Sequence, residues 1–476
     1  MTLFSDHPDD EGLPGPQRLP AMLALMVTTA IGVFDGSMIN IALPQMAQAL
    51  NSTAANAVWI ANSYLLAVAM SLAIFSALAV RYGFRNQFIA GLMVFSLSSL
   101  GCAMSTSLEM LVTMRFIQGI GGAATLSIVP AMLRSIFPNR LLGQILGMNA
   151  LLIASCTAAA PLFSGMLLVS VSWPWLFAIN LPLGLLATVL ALRYLPASAP
   201  TDKSPFDYLG ALLSALTLGC IVLFANSFSS HVSNTLGLYR WGYALIALFC
   251  GIGFIVRQRR FAHPLMPLNM FSNRRFSLAA GTSCTAFVAQ GMTFIALPFL
   301  YEGVYGYSSL MSALLFVPWP LGIILAAPQA GKLADKQNPA LISSCGLLVF
   351  GAGLALLAML PSSPSVWDIC LRSFVCGVGF GLFQSPNNRE MLGNAPREYS
   401  SYASGVLAVM RTFGQSLGSA FIGVILSLGL LKHHGNESMS GSLVSLALWS
   451  ASIAVAFALV LSLTRLKHIQ VEQQSA

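Results

Sequence analysis

Charge is what this chain has least of. Of its 476 residues only 8% are Asp, Glu, Lys or Arg, 56% are hydrophobic, and the mean hydropathy is +0.77. Soluble domains carry about 25% charged residues, so a water-soluble globule is excluded and a polytopic membrane protein is what fits. Metal and disulfide chemistry are short of material too. The eight cysteines, at 102, 156, 220, 250, 284, 345, 370 and 376, form no CxxC pair and no cluster, and the six histidines lie in loops and tails. No metal site is expected. The single Gly-Lys pair, Gly331-Lys332, is followed by Leu333, so no GxxxxGK[ST] phosphate cradle exists and ATP-driven transport is disfavoured. A membrane-embedded enzyme needs His, Cys or carboxylates grouped near one membrane face, and that grouping is missing. The chain reads as a protein that is not an enzyme.

What it does have is apolar length. Fourteen stretches of about 20 residues, the length that crosses the hydrocarbon core as a helix, begin near Ala21, Ala57, Gln87, Met110, Leu142, Trp175, Phe206, Trp241, Phe276, Ser309, Pro339, Trp367, Ala403 and Gly441. The expected fold is therefore all-α with fourteen transmembrane helices. The first stretch follows an acidic leader (Asp6, Asp9, Asp10, Glu11), not a basic one, and reads as a retained helix instead of a signal peptide. Basic residues resist translocation, and they fall in alternate loops: Arg81 and Arg85, Arg134 and Arg140, Arg193 and Lys203, then Arg257, Arg259, Arg260, Arg274 and Arg275. Arg18, Lys332, Lys336, Arg389, Arg397, Arg465 and Lys467 continue the pattern. Both termini are accordingly expected in the cytoplasm. The net charge of +8 is topological on this reading, and no nucleic-acid partner is expected.

Part of the sequence is written twice. GLMVF begins at Gly91 and GLLVF at Gly346, IALP occurs at Ile41 and Ile295, and Gly147, Cys156 and Ala160 are spaced like Gly405, Gly414 and Gly418. Two parallel six-helix halves fit this pattern, as in transporters built from repeats. The residues left over, 196–275, hold two apolar spans and a basic stretch, and read as an insertion between the halves. The organisation expected is a cytoplasmic tail (1–20), an N-terminal six-helix bundle (21–195), inserted helices seven and eight with their basic loop (196–275), a C-terminal six-helix bundle (276–464) and a second cytoplasmic tail (465–476).

Few charges enter the helices, and those few stand out. Asp35 lies inside the apolar run from Ala21 to Leu43, where a carboxylate costs roughly 3 kcal/mol on insertion scales. A proton or a cationic ligand can each neutralise it, which is the minimum requirement of an exchanger. Arg115, in helix four, is expected within roughly 5 Å of the same depth at 1.5 Å per residue, so the two can meet. The plainer alternative is a static ion pair that stabilises the bundle. Asp368 and Arg372, four apart, read as an ordinary helical pair. Arg411 has no obvious partner; facing the cavity, snorkelling and contacting backbone carbonyls all remain open.

FDGSMINIALP (Phe34–Pro44), RFIQGIGGAA (Arg115–Ala124), WPWLFAINLPLG (Trp173–Gly184), FDYLG (Phe206–Gly210) and HPLMPLNMFSNRRF (His263–Phe276) occur in that order along the whole chain. Together they resemble the fourteen-span drug:proton antiporter branch of the major facilitator superfamily. GVGFGLFQSPNN (Gly377–Asn388) further resembles its quaternary-ammonium and methyl-viologen exporters. The resemblance implies proton coupling through Asp35 and Arg115, with the proton as coupling ion and no cofactor. Helix five has the spacing of the antiporter motif and keeps Pro161 and Gly165, but carries Cys156, Ala160 and Ser164 where the family has Gly. The gating motif after helix two is degraded, with Ser76 and Val80 in place of Gly and Asp, whereas its second copy retains Gly331 and Asp335.

The cavity wall is expected to include Phe34, Met38, Tyr64, Gln118, Asn149, Gln290, Phe294, Trp319, Gln384, Asn387 and Asn388, since aromatic faces attract delocalised cations and Met adapts to irregular ligands. The expected function is export of lipophilic or quaternary cations in exchange for protons across a bacterial inner membrane. The protein's surroundings would be the lipid bilayer and its partner a small cationic substrate, with a monomer as the default state. Proton-linked movement of a metabolite is the alternative, and a membrane enzyme a distant third.

Overall fold

Within a lipid core no water is available to backbone N–H and C=O groups, so each crossing segment must satisfy its own. The computed structural model describes residues 12–138, 141–196, 205–228, 236–261, 264–334, 336–394, 400–432 and 441–475, and among these it is helical with no strand. The N-terminal half holds α1 (Gly15–Ala49), α2 (Ala54–Tyr82), α3 (Phe84–Ala103), α4 (Leu108–Leu126) with its short continuation α5 (Val129–Ile136), and α6 (Leu142–Ser170). Its sixth crossing is broken into α7 (Trp175–Ala178) and α8 (Asn180–Tyr194). The pair expected to be an insertion follows as α9 (Tyr208–Asn226) and α10 (Leu236–Arg260), then a 3-10 turn, Leu268–Ser272. In the C-terminal half α11 (Arg274–Pro298) runs into a π-helical turn (Phe299–Val304), and the next crossing comes in two pieces, α12 (Ser309–Phe316) and α13 (Pro318–Ala334). It closes with α14 (Pro339–Ala358), α15 (Val366–Gly393), α16 (Ser400–Lys432) and α17 (Gly441–Ser475).

All fourteen expected stretches fall on these helices. Among the described residues thirteen segments are long and apolar enough to span a membrane, and the remaining one, in α6, has a shorter apolar stretch, Ser155–Ser170. Polar side chains start several of them by accepting hydrogen bonds from the first free N–H groups: Thr53 from Asn56, Ser107 from Met110, Ser308 from Met311 and Ser365 from Asp368. Gly83 separates α2 from α3 at a φ of 90°, a conformation that a side chain at this position would resist.

The doubled sequence is matched by a doubled contact. A side chain on Gly91 of α3 would meet Gly121 of α4, with its carbonyl oxygen 3.1 Å away; Gly346 of α14 faces Gly379 of α15 in the same way at 2.9 Å. Small residues let the backbones approach this closely, which is how helices associate in lipid.

The halves meet along α2 and α16, and again where α6 packs on α12 and α1 approaches α11. We call the face that carries Gly83 and the Arg257–Arg275 segment the basic face. At the opposite face the halves are locked: Gln45 of α1 donates to Ser309 of α12 at 2.7 Å, and Gly165 of α6 rests on Ala313. Farther in, Gly36 and Gly405 have no atom within 4 Å of where a side chain would begin, so α1 and α16 are not closely packed at these two positions. Of the inserted pair, α9 lies against both α2 and α16, and α10 packs on α9.

Candidate functional site

Asp35 is the centre of the densest polar network in the described chain. It has no exposed surface and receives three donors: Arg115 Nη1 at 2.5 Å and Gln118 Nε2 at 3.0 Å, both from α4, and Asn180 Nδ2 at 2.9 Å from the start of α8. Arg115 is tied down in turn. It donates to the Ile60 carbonyl at 3.1 Å and to Gln118 Oε1 at 2.6 Å, and its guanidinium lies 4.4 Å from the Tyr64 ring and 5.6 Å from that of Phe177. Ser99 of α3 accepts from Gln118 at 2.7 Å and from Asn180 at 3.4 Å, so α1, α3, α4 and α8 converge on one ion pair. A buried charge is tolerable only when paired and hydrogen-bonded, and here both partners are. Neither can change its charge without disturbing the other helices.

At the repeat offsets, the C-terminal half has Ala289, Ser373 and Cys376 where the N-terminal half has Asp35, Arg115 and Gln118. An aromatic stack occupies that bundle instead. Trp319, Phe350, Phe380 and Phe383 follow one another edge to face at centroid distances of 5.6, 5.4 and 5.8 Å, with Phe287 5.4 Å from Phe380. Phe294 extends the stack, 5.2 Å from Trp319.

The residues expected to line a cavity are scattered over several places. Gln118 and Tyr64 belong to the Asp35 network. Trp319 and Phe294 belong to the aromatic stack. Asn387, fully buried, accepts from Arg465 at 2.9 Å and donates to the Ala279 carbonyl at 3.1 Å, joining α15 to α17 and α11. Phe34 packs edge-on against Phe163 at 5.8 Å, and the Met38 carbonyl accepts from Ser164 at 3.0 Å. Gln290 is bonded by Gln415 across α11 and α16 at 3.0 Å. Asn149, Gln384 and Asn388 are half-buried, and the Asn149 side-chain oxygen has no partner among the described residues. Of the residues expected to serve gating, Pro161 is inside α6, Gly165 lies at the α6–α12 contact, Gly331 lies close to Ser385 on α15, and Asp335 is outside the described residues. Asp368 and Arg372 form the expected helical pair at 2.7 Å.

Several functional-looking groups escaped the sequence reading. Asn180 lies within the WPWLFAINLPLG string, and an amide inside an apolar helix is the same signal that marked Gln118. Two loop assignments need correction: Arg18 and Arg465, counted among solvated basic residues, are buried helical side chains. Arg465 stays inside because Glu390, 3.4 Å away, and Ser462, at 3.0 Å, join Asn387 in satisfying it. Glu302, half-buried in the π-helical turn, is a further acid within a candidate span, besides Asp35 and Glu390, and accepts from Ser309 at 2.9 Å. It followed Pro298 at the frayed end of an apolar run, where hydropathy gives little warning.

A profile of the Major Facilitator Superfamily matches residues 25–419. The chain belongs to that superfamily. It is a multi-pass membrane transporter and not an enzyme, and its relatives are bacterial. Uncharacterized transporter YebQ of Escherichia coli (strain K12) is 41% identical over 418 residues, covering 88% of this chain and 91% of YebQ. The tetracenomycin C resistance and export protein of Streptomyces glaucescens is 30% identical over 430 residues, covering 88% and 78%, and riboflavin transporter RibZ of Clostridioides difficile (strain 630) is 26% identical, covering 88% and 91%. Among solved structures, the POT family transporter PepTSo superposes with a TM-score of 0.69 at 15% identity, covering 96% of this chain and 99% of its own. That likeness is one of fold.

Proposed function

We propose that this superfamily member is a proton-coupled exporter of lipophilic small molecules working by alternating access in a bacterial inner membrane, with its basic face and both termini cytoplasmic. The observation that carries the proposal is the Asp35–Arg115 pair. A carboxylate with no exposed surface, held by a cation and two amides from α4 and α8, can take up a proton only when Arg115 lets go, and Arg115 is anchored to α2 through the Ile60 carbonyl. Proton uptake and helix movement are thereby the same event. Several relatives, named multidrug resistance or antibiotic resistance and export proteins, support an export direction. Pro161, Gly165, Gly331 and Asp335 are the positions we assign to gating.

The expectation of a cationic cargo relied on Asp35 being shared between proton and substrate. In this conformation Asp35 is enclosed and already has its cation, so a cationic substrate needs a second conformation to reach it. Movement of a metabolite is the other reading, and the riboflavin transporter relative favours it. Both are tested in inside-out membrane vesicles with an imposed proton gradient. The expected result is gradient-driven uptake of lipophilic dyes into the vesicle lumen that disappears in Asp35→Asn, which keeps the side-chain size and loses the charge. Full gradient-driven activity in Asp35→Asn overturns the coupling role.

A further inference from the structure

Arg411 is not part of the Asp35 network, and no ion pair ties it to an acidic side chain among the described residues. It lies on α16 in the span Tyr402–Ser427, about 14 Å from the basic-face end at 1.5 Å per residue, so its charge stands in the middle of the bilayer. Charges at that depth are expensive and mark pathways. Which way it points follows from the helix. Phe413, Leu417 and Ala420 pack against α2 and α9, and at 100° per residue Arg411 is on the other side of α16 from them. Its guanidinium carbon lies 6.0 Å from the ring centre of Phe287 on α11. One and two turns further along the same stripe come Gln415, bonded to Gln290 of α11, and Ser419, whose buried hydroxyl has no partner among the described residues. Phe287, Gln290 and Phe294 in turn share one face of α11.

We infer that Arg411 and Gln415, with Phe287, Gln290 and Phe294 beside them, form a subsite for an acidic oxygen group carried on a flat aromatic ring. The inference deepens the transport reading above and rests on the space between the halves being the substrate path. Donors outnumber acceptors here: a guanidinium offers five N–H groups and two facing amides offer the rest, so the group they lack is an oxygen acceptor. A guanidinium binds a planar oxyanion through paired hydrogen bonds, which are the stronger, charge-assisted kind. Edge-to-face packing on Phe294 then suits an aromatic body. A quaternary cation would meet Arg411 with like charge.

The test is equilibrium binding to the purified full-length chain in detergent, by calorimetry, of three probes on one ring system: 1-naphthalenesulfonate, 1-naphthalenesulfonamide and (1-naphthylmethyl)trimethylammonium. The sulfonate is expected to bind at least tenfold more tightly than the trimethylammonium. Arg411→Gln should weaken the sulfonate about tenfold or more, toward the sulfonamide, because a charged hydrogen bond becomes a neutral one. Arg411→Lys should retain part of the preference. Should Arg411→Gln fail to give a monodisperse protein, Gln415→Leu reads the same subsite, with a loss of threefold or more expected for the sulfonate. Equal or tighter binding of the trimethylammonium overturns the inference, as does absence of binding for all three, or sulfonate affinity within twofold of the unaltered chain in both Arg411→Gln and Gln415→Leu. No gradient is present in this measurement. Absence of an anion preference in the unaltered chain, with gradient-driven transport intact, therefore sinks this subsite alone, whereas an anion preference that depends on Arg411 beside full gradient-driven transport in Asp35→Asn sinks only the role of Asp35.

Discussion

Breaking the Asp35–Arg115 pair from one side should cost more than removing it whole. Arg115→Met deletes the contact to Asp35 and those to Gln118 Oε1 and the Ile60 carbonyl, and leaves a carboxylate with no exposed surface and only two amides to face it. Removing one partner of a buried ion pair costs about 3–5 kcal/mol. Asp35→Asn is milder, since Arg115 still has Gln118 Oε1, the Ile60 carbonyl and the Tyr64 face. In the double variant no uncompensated charge remains, and the loss is that of hydrogen bonds and packing, each about 1 kcal/mol. The double variant should then be more stable than the sum of the singles by about 2–3 kcal/mol. Reversible unfolding of the full chain by sodium dodecyl sulfate in mixed micelles measures all four corners of the cycle. Additivity within about 0.5 kcal/mol would show that the pair does not act as a unit, and the reasoning that links proton uptake to Arg115 would go with it. Transport should be lost in both singles and not restored in the double, which separates stability from coupling.

Two further outcomes test the packing. Gln45→Ala removes the hydrogen bond to Ser309 that joins the halves beside Glu302; at about 1 kcal/mol per bond the ratio of closed to open forms of this face should fall roughly fivefold, read as a larger share of long spin-label distances between positions 51 and 306 on a cysteine-free background, and an unchanged distribution would refute the latch. Gly377→Ala places a methyl group against the Trp319 carbonyl, backbone against backbone with no side chain to yield. It should destabilise by about 1–3 kcal/mol, whereas Gly393→Ala, with nothing within 4 Å, should be near neutral. Equal effects of the two on thermal stability would contradict the close crossing of α13 and α15.

The crossing segments were legible because hydropathy acts over twenty residues at a time, and a misjudged residue at either end changes little. The Asp35–Arg115 contact was legible for a different reason: two charges at matching depth in an apolar bundle have few other partners. Side-chain destinations were harder. Asn387 and Gln384 are three apart in one string and point only about 60° apart around the helix, yet one is sealed against Arg465 of α17 while the other is half-buried, a difference set by the neighbouring helix and not by the local pattern. Arg465 looked like the start of a solvated tail since nothing local announces Glu390, which comes from another helix seventy-odd positions earlier. Asn180 needed the fold as well, as its value lies in reaching Ser99 and Asp35 together.

The position of α9 gives the molecule two unlike flanks. Along one, the line where α2 meets α16 is covered by α9, with α10 outside it, and an open cleft of ≈ 410 Å³ lies between α9, α2 and α4. Along the other, α6 meets α12 and α13 with Phe163, Met166, Leu314, Leu321 and Leu325 turned outward. A lipophilic compound dissolved among acyl chains reaches the first line only past two extra helices, and reaches the second directly. The lipid next to α6 and α12 therefore touches the line between the halves itself, whereas the lipid next to α10 touches only the outer member of a two-helix cover.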